Sequence, residues 1–374
     1  MSKKNDSSKA FNRTKRIYQE YTEDITRERL GKELLADTTR LKKLYREAVG
    51  DDIDPLTGEQ VGLITKFTRF TGALSKRLNP NRRILFSGSI LFFLASFWNS
   101  GLISTALLSL SFLGFITNMI LELLEKTDAK REIDFARDIQ LSLLPSPEDN
   151  NSELEIASFA NTANEVGGDY VDVIHTDEGT FVINADVSGK GLSASLYMVR
   201  MQAMVHLLVN QGVTSPRQIF LELNNHIKSG IRDKTFVTAC ACFFPKNESH
   251  FYFARAGHNP PILYIKEKDA TITLKTPGLA LGMAPTFRLE KHLKEATINF
   301  APGDSLLVYT DGLNEARNVD GQEYGEGKLI SIMEIYGALD SKTITQKIQN
   351  SLDIFIGDEQ QLDDITFSVI HKVV

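Results

Sequence analysis

The sequence predicts an α+β fold for the C-terminal part of the chain: two packed antiparallel sheets flanked by helices, preceded by N-terminal helices and a hydrophobic helical hairpin. Three observations lead there. Charge is partitioned along the 374 residues: 1–83 carry 19 Lys+Arg against 12 Asp+Glu, 84–121 carry none, and 122–374 hold the acidic excess behind the net charge of −6. From about residue 153, short β-rich runs follow one another as hairpin-like neighbours. Helical periodicity comes in blocks instead of after every strand, which argues against a doubly wound parallel sheet. Composition is ordinary for a globular chain, and two cysteines exclude a disulfide scaffold and point to a reducing compartment.

Residues 1–83 read as a helical N-terminal region. Between 10 and 50, Ile17, Tyr21, Ile25, Leu30, Leu34, Leu41 and Leu44 recur at helical spacing among mixed charges, which suits a helical pair, a homodimer-forming segment or a solvated helix. A basic helix beside a membrane could also touch anionic headgroups, and no nucleic-acid motif accompanies the charge.

Residues 84–123 predict a transmembrane hairpin. The uncharged run is too long for one span of about 20 residues, and Asn99, Ser100 and Gly101 break it with turn chemistry. The expected arms are 84–98 and 102–123, with Lys76, Arg77, Arg82 and Arg83 on the cytoplasmic side and Trp98 at the far interface. A secretory signal would sit at the N-terminus, where polar residues come first. A buried hairpin within a soluble domain is the alternative.

Residues 124–147 form the linker, a charged helix over 125–144 with Ile133, Ala136, Ile139, Leu143 and Leu144 along one stripe, stopped by Pro145 and Pro147. Residues 148–374 are expected to form a separate C-terminal domain. Strands are expected at 154–161, 169–176, 180–187, 234–244, 250–257, 261–266, 294–300, 304–310 and 364–372, and helices at 192–211, 215–230, 326–337 and 343–355.

Four aspartates lie at expected strand ends or beside glycine: Asp169 in EVGGDYVD, Asp186 in INADVSGKG, Asp311 in VYTDGLNEA and Asp363, followed by Asp364, in QLDDITFSV. Any one alone reads as a turn residue. Together, strand ends converging on one edge of a sandwich would gather carboxylates that repel one another without cations. Hard divalent metals with oxygen ligands and retained waters relieve that repulsion. A paired-metal site suggests hydrolysis by an activated water, with phosphate esters as the natural substrate.

At these residues the chain resembles the bacterial PPM, or PP2C-like, serine/threonine phosphatases of the SpoIIE/RsbU type. EVGGDYVDV, ADVSGKG, ARAGHNPP, YTDGLNEA and LDDIT stand in the order and approximate spacing of that group, with the FARDIQLSLLP linker, over about residues 130–374. The resemblance implies a PP2C-like β-sandwich and a Mn²⁺- or Mg²⁺-dependent protein phosphatase with two metal ions. By motif, Asp186 would bridge the metals with the Val187 carbonyl as an added ligand, and Asp169 would complete one shell. Asp311 and Asp363 would hold the other, with Asp364 as support; Asp169 and Asp186 carry the catalytic role. The implied partner is a phosphorylated protein, a STAS-type anti-anti-sigma regulator. Two departures stand out: no arginine matches the phosphate-binding arginine of the animal-type enzymes, and Lys190 occupies a position where many bacterial members have histidine.

The other features have plainer readings. His258 in AGHNPP contacts substrate or holds a turn that Pro260 and Pro261 fix, and the remaining histidines lack HExxH spacing. Cys240 and Cys242 read as core. SGKG lacks the full phosphate-loop spacing, GGDY lacks the βαβ alternation of a nucleotide cyclase, and the apolar helix after SGKG reads as core. The expected function is a membrane-attached phosphatase at the cytoplasmic membrane, its catalytic domain in the cytoplasm. A non-catalytic membrane scaffold with a phosphatase-like binding domain, or a metal-dependent nucleotide enzyme, are the alternatives.

Overall fold

The computed structural model describes residues 62–230, 235–359 and 361–374, together with 38–39, 42–43 and 45–47. The expected amphipathic helices of 10–50 lie largely outside the described residues. The chain divides into two units, Met1–Thr127 and Asp128–Val374.

In the first unit, α1 (Leu63–Lys76) precedes α2 (Pro80–Ser96), which packs antiparallel on the first part of α3 (Gly101–Ser142). Pro80 occupies the first helical turn, where its missing N–H costs nothing. The turn falls at 97–100, with Gly101 in left-handed backbone at φ 62°. The two arms interlock through small and polar groups: Ser111 Oγ donates to the Ser89 carbonyl at 2.8 Å, Phe86 meets Phe115 edge-on at 5.9 Å, and a side chain at Gly114 would strike Ser89. Arg82 closes the open end on Glu122 at 2.9 Å. Outward, Ile84, Phe97, Trp98 and Leu102 are 72–88% exposed. The expected linker helix is not a separate element. No proline or glycine intervenes after Gly114, so apolar arm and charged linker form one helix of 42 residues.

The second unit begins at Asp128, and its described residues contain eleven strands in two antiparallel sheets. The strands are β1 (Glu148–Asn150), β2 (Leu154–Asn161), β3 (Asp169–His175), β4 (Gly179–Val187), β5 (Val237–Pro245), β6 (His250–Ala256), β7 (Ile262–Ile265), β8 (Ala270–Thr273), β9 (Glu295–Asn299), β10 (Ser305–Tyr309) and β11 (Ile365–Lys372). One sheet runs β1-β2-β11-β10-β7-β8 and the other β3-β4-β5-β6-β9. The nine expected strands are present with small shifts of boundary; β1 and β8 are too short to show a period. The four expected helices are present as α4 (Leu192–Asn210), α5 (Pro216–Gly230), α8 (Glu326–Tyr336) and α9 (Ser341–Ile356), and the short α6 (Thr286–His292) and α7 (Asp311–Asn314) were not expected.

Side-chain alternation builds four layers. Val182, Cys240, Cys242, Phe244, Leu306, Val308 and Ile370 fill the space between the sheets. The opposite faces of β3–β5 pack on Met198, Met201 and Val205 of α4, while Leu307, Phe367 and Val369 pack on Ile344 and Ile348 of α9. Met198→Ala would empty a site 1% exposed, a change that costs about 2–5 kcal/mol. Among the described residues two helices, Gly101–Ser142 and Leu192–Asn210, are long and apolar enough to cross a membrane. The second is a core helix, with Ala194, Met198, Met201, Val205 and Val209 buried against the sheet.

Candidate metal centre

Alternation places the acids. Residues 182, 184 and 186 of β4 share the face between the sheets, as do 169, 171 and 173 of β3. Asp169 and Asp186 are direct cross-strand partners there, and Asp186 also opposes Thr238 of β5. Antiparallel order brings the start of β3, the end of β4, the start of β5 and the end of β6 to one end of the sandwich. The end of β10 and the start of β11 arrive at the same end, carrying Asp311, Asp363 and Asp364.

Hydrogen bonds join the two sheets at this end. Thr310 Oγ1 donates to Asp169 Oδ2 at 2.8 Å. Asp364 accepts from the Ala163 N–H at 2.8 Å and the Gly168 N–H at 2.7 Å, so this carboxylate clamps the loop before β3. Its neighbour Asp363 is turned instead to Lys190, whose Nζ donates to Oδ2 at 3.2 Å. Two glycines permit the approach. A Cβ on Gly168 would lie 2.9 Å from the Val187 carbonyl oxygen, and one on Gly312 would collide with the Asp364 carbonyl. Asn259 donates to Asn314 Oδ1 at 2.6 Å, tying the AGHNPP turn to the YTDGLNEA helix.

The electrostatics are those of crowded acids. Burial, then the Asp186 and Asp364 charges, hold Asp169 well above the usual carboxylate range. Burial and the charges of Asp311, Asp363 and Asp364 push Asp186 up to about 7, with Lys190 opposing. Burial and Asp363 also raise Asp311, and burial, with the Asp363 charge, raises Asp364 against the pull of the Ala163, Gly168 and Asp169 backbone N–H groups. These mutual effects show that Asp169, Asp186, Asp311, Asp363 and Asp364 share one neighbourhood. Positive charge arriving there would favour the ionised forms of Asp169, Asp186, Asp311 and Asp364.

The donor set suits hard divalent cations: carboxylate oxygens plus the Val187 carbonyl, no sulfur, and no imidazole bonded to the acids. Among the described residues no three His, Cys, Asp or Glu side chains already surround one point as a finished shell. Thr310 and Lys190 hold two of the carboxylates, and a magnesium-like cation takes one or two carboxylates and keeps several waters. One layer below Asp186, the Asn184 amide is fully buried without a protein partner, which fits a hydrated floor.

His258 is buried behind the acids, its Nδ1 3.0 Å from Thr238 Oγ1. Burial and the Arg255 charge lower it to about 3, so it is a neutral brace. Cys240 and Cys242 are buried core thiols. Sequence reasoning did not find Thr310 or Gln140. Thr310 carried one signal, its place immediately before Asp311. Gln140, near the end of α3, pairs both ways with the backbone of Gly167: its Nε2 donates to the carbonyl at 2.9 Å and its Oε1 accepts the N–H at 3.0 Å.

Comparison with known proteins agrees with this architecture. The family description "Stage II sporulation protein E (SpoIIE)" matches residues 176–372. "Phosphoserine phosphatase RsbU" of Bacillus subtilis is 26% identical over 250 residues, 66% of this chain and 72% of that protein. "Phosphoserine phosphatase RsbP" of the same organism is 26% identical over 193 residues, 50% of this chain and 46% of that protein. Among solved structures, the SiaA-PP2C domain of Pseudomonas aeruginosa superposes with a TM-score of 0.57 at 18% identity, covering 66% of this chain and 98% of that domain. The PP2C phosphatase domain of SpoIIE from Bacillus subtilis gives 0.50 at 16% identity, covering 60% of this chain and 65% of that one. The sandwich is thus a PP2C-type protein phosphatase domain. The chain belongs to the SpoIIE family.

Proposed function

We propose that this chain is a membrane-attached, divalent-metal-dependent phosphatase that removes phosphate from serine or threonine of a partner protein. The observation that carries the reading is the gathering of Asp169, Asp186, Asp311 and Asp363 at one end of the sandwich, where burial and neighbouring carboxylates raise Asp169, Asp186 and Asp311. In this reading Asp186 and the Val187 carbonyl would help hold two Mn²⁺ or Mg²⁺ ions, Asp169 would help hold one of them, and Asp311 and Asp363 would help hold the other. When bound, such a pair supplies an activated water and neutralises phosphoryl charge. Thr310 fixes the Asp169 carboxylate, and Asp364 fixes the loop from which Asp169 projects.

The partner chemistry follows from the relatives, two of which are phosphoserine phosphatases by name. A phosphorylated STAS-type anti-anti-sigma regulator is the substrate class the sequence resemblance implies. The hairpin of α2 and the start of α3 would lie in the cytoplasmic membrane, its uncharged outward side chains toward lipid and its small-residue seam inside. The phosphatase domain would then stand in the cytoplasm, with the N-terminal region reporting a signal or pairing two chains. Gln140, gripping Gly167 two residues from Asp169, gives the linker helix a direct hold on the metal-binding loop.

The test is Mn²⁺-dependent dephosphorylation of a phosphorylated STAS-domain protein by the full chain. Asp186→Asn and Asp311→Asn are expected to abolish it; unchanged turnover in both would refute the assignment.

A further inference from the structure

Lys190 stands between Gly189 at φ 112° and Gly191 at φ 72°, two backbone conformations that favour glycine, with open space at both. Its ammonium donates to the Leu362 carbonyl at 2.8 Å and to Asp363 Oδ2 at 3.2 Å. Its charge also acts on Asp186 and Asp311. The side chain is 57% exposed, and an ammonium has a third donor left over. Arg317, a second cation near this rim among the described residues, is engaged with Glu323 at 2.9 Å.

The acids of the centre differ in what holds them. Asp169 is held by a neutral hydroxyl and Asp364 by backbone N–H groups, whereas Asp363 is held by an exposed lysine ammonium. That pairing competes with a metal: a divalent cation on Asp363 Oδ2 would repel the ammonium bonded to the same oxygen.

We propose that Lys190 is an exchangeable counter-ion: it holds Asp363 in the metal-free centre, leaves when a divalent cation engages Asp363, and then grips the phosphoryl oxygens of the substrate's phosphoserine or phosphothreonine. The inference rests on the reading given under Proposed function. A lysine suits both halves of the role. It is a point charge on a long stem, so it can change partners without the planar geometry an arginine needs. Its glycine-bounded loop gives the stem room to turn. No bond is made or broken in the exchange. The ammonium keeps its protons and trades one oxygen anion for another.

The experiment uses the full chain in detergent with three proteins: wild type, Lys190→Met and Lys190→Arg. Mn²⁺ affinity is read by calorimetry, and kcat and KM are read on a phosphoserine peptide. With the competitor removed, Lys190→Met is expected to bind Mn²⁺ several-fold tighter, since an exposed ion pair is worth up to about 1 kcal/mol. Its KM should rise about 10-fold or more, the worth of one charge-assisted hydrogen bond, with kcat changed far less. Lys190→Arg should recover much of the KM. Wild type that binds Mn²⁺ and turns over beside a Lys190→Met with equal or weaker Mn²⁺ affinity, or with unchanged KM, overturns this proposal alone. Wild type that binds no Mn²⁺ overturns it together with the reading on which it rests.

Discussion

The two ends of the sandwich are built from the same strands and treat charge in opposite ways. At the end formed by the finish of β3, β5 and β11, acids are matched with donors in place. Lys372, with its side chain 6% exposed, donates to Glu153 at 2.8 Å, and that bond contributes to holding Glu153 below its ordinary range against burial. His175 meets Asp149 at 2.8 Å, and Asp304 accepts the N–H groups of Lys266 and Ala301. At the other end, Asp169, Asp186, Asp311 and Asp363 share Lys190 and a threonine hydroxyl, and three of the four are raised. The difference teaches where stability ends and function begins. An end that only had to fold would resemble the first, and the second retains repulsion that an incoming cation would relieve.

The comparison can be broken most forcefully at the crowded end. Asp186→Asn should lower Mn²⁺-dependent turnover by roughly 100- to 1000-fold, the scale of losing one electrostatic stabiliser of the reaction. The same substitution should raise the melting temperature of the metal-free protein, because it removes a charge that its neighbours oppose. A lowered melting temperature would show that the acids are not in conflict.

Acidity sharpens the contrast next. Asp186 is raised from 3.8 to about 7 in the folded chain, so between those values the native state holds a proton that the unfolded state has lost. Stability from this group is therefore present below about pH 4 and is lost as pH rises through 7, on the order of 4 kcal/mol in all. Denaturant titrations of the metal-free protein should show a decline from pH 5 to pH 8, and saturating Mn²⁺ should reverse it. Glu153, whose ordinary range is lowered, works with the opposite sign: its contribution is present above its unfolded pKa of about 4.5 and lost as pH falls through the folded value.

At the matched end, Lys372→Met should cost about 3 kcal/mol by leaving Glu153 without its cation in a mostly buried place. Turnover per folded molecule should stay at the wild-type level. A comparable loss of turnover would mean that the two ends are not independent. Smaller again, Gln140→Ala should cost about 1–2 kcal/mol through two lost bonds to Gly167. Its mark should be a weaker Mn²⁺ affinity, measured by calorimetry, because the loop carrying Asp169 loses one of its two holds.

Much of this arrangement was legible in the chain. Strands such as Leu154–Asn161 and Ile365–Lys372 announce themselves by β-rich composition and flanking turns, and the aspartates by their place at strand ends beside glycine. The division of labour between Asp363 and Asp364 came from the family resemblance alone, since both residues precede the first residue of β11 and show no strand period. The continuity of Gly101–Ser142 was hidden because composition changes at Glu122 while helical geometry does not. Thr310 and Gln140 were hidden for another reason. Neither titrates nor repeats, and each matters through a partner far away in sequence, Asp169 or Gly167. Tertiary pairing of neutral groups leaves no local pattern to read.

The most direct measurement is a calorimetric titration of the full chain with Mn²⁺ at pH 7, repeated with Asp186→Asn and Asp311→Asn. Two ions bound per wild-type chain with release of protons, and loss of that binding in both variants, is the predicted result. An isotherm flat up to millimolar Mn²⁺, or one the substitutions leave untouched, would contradict the claim that these carboxylates form a metal centre.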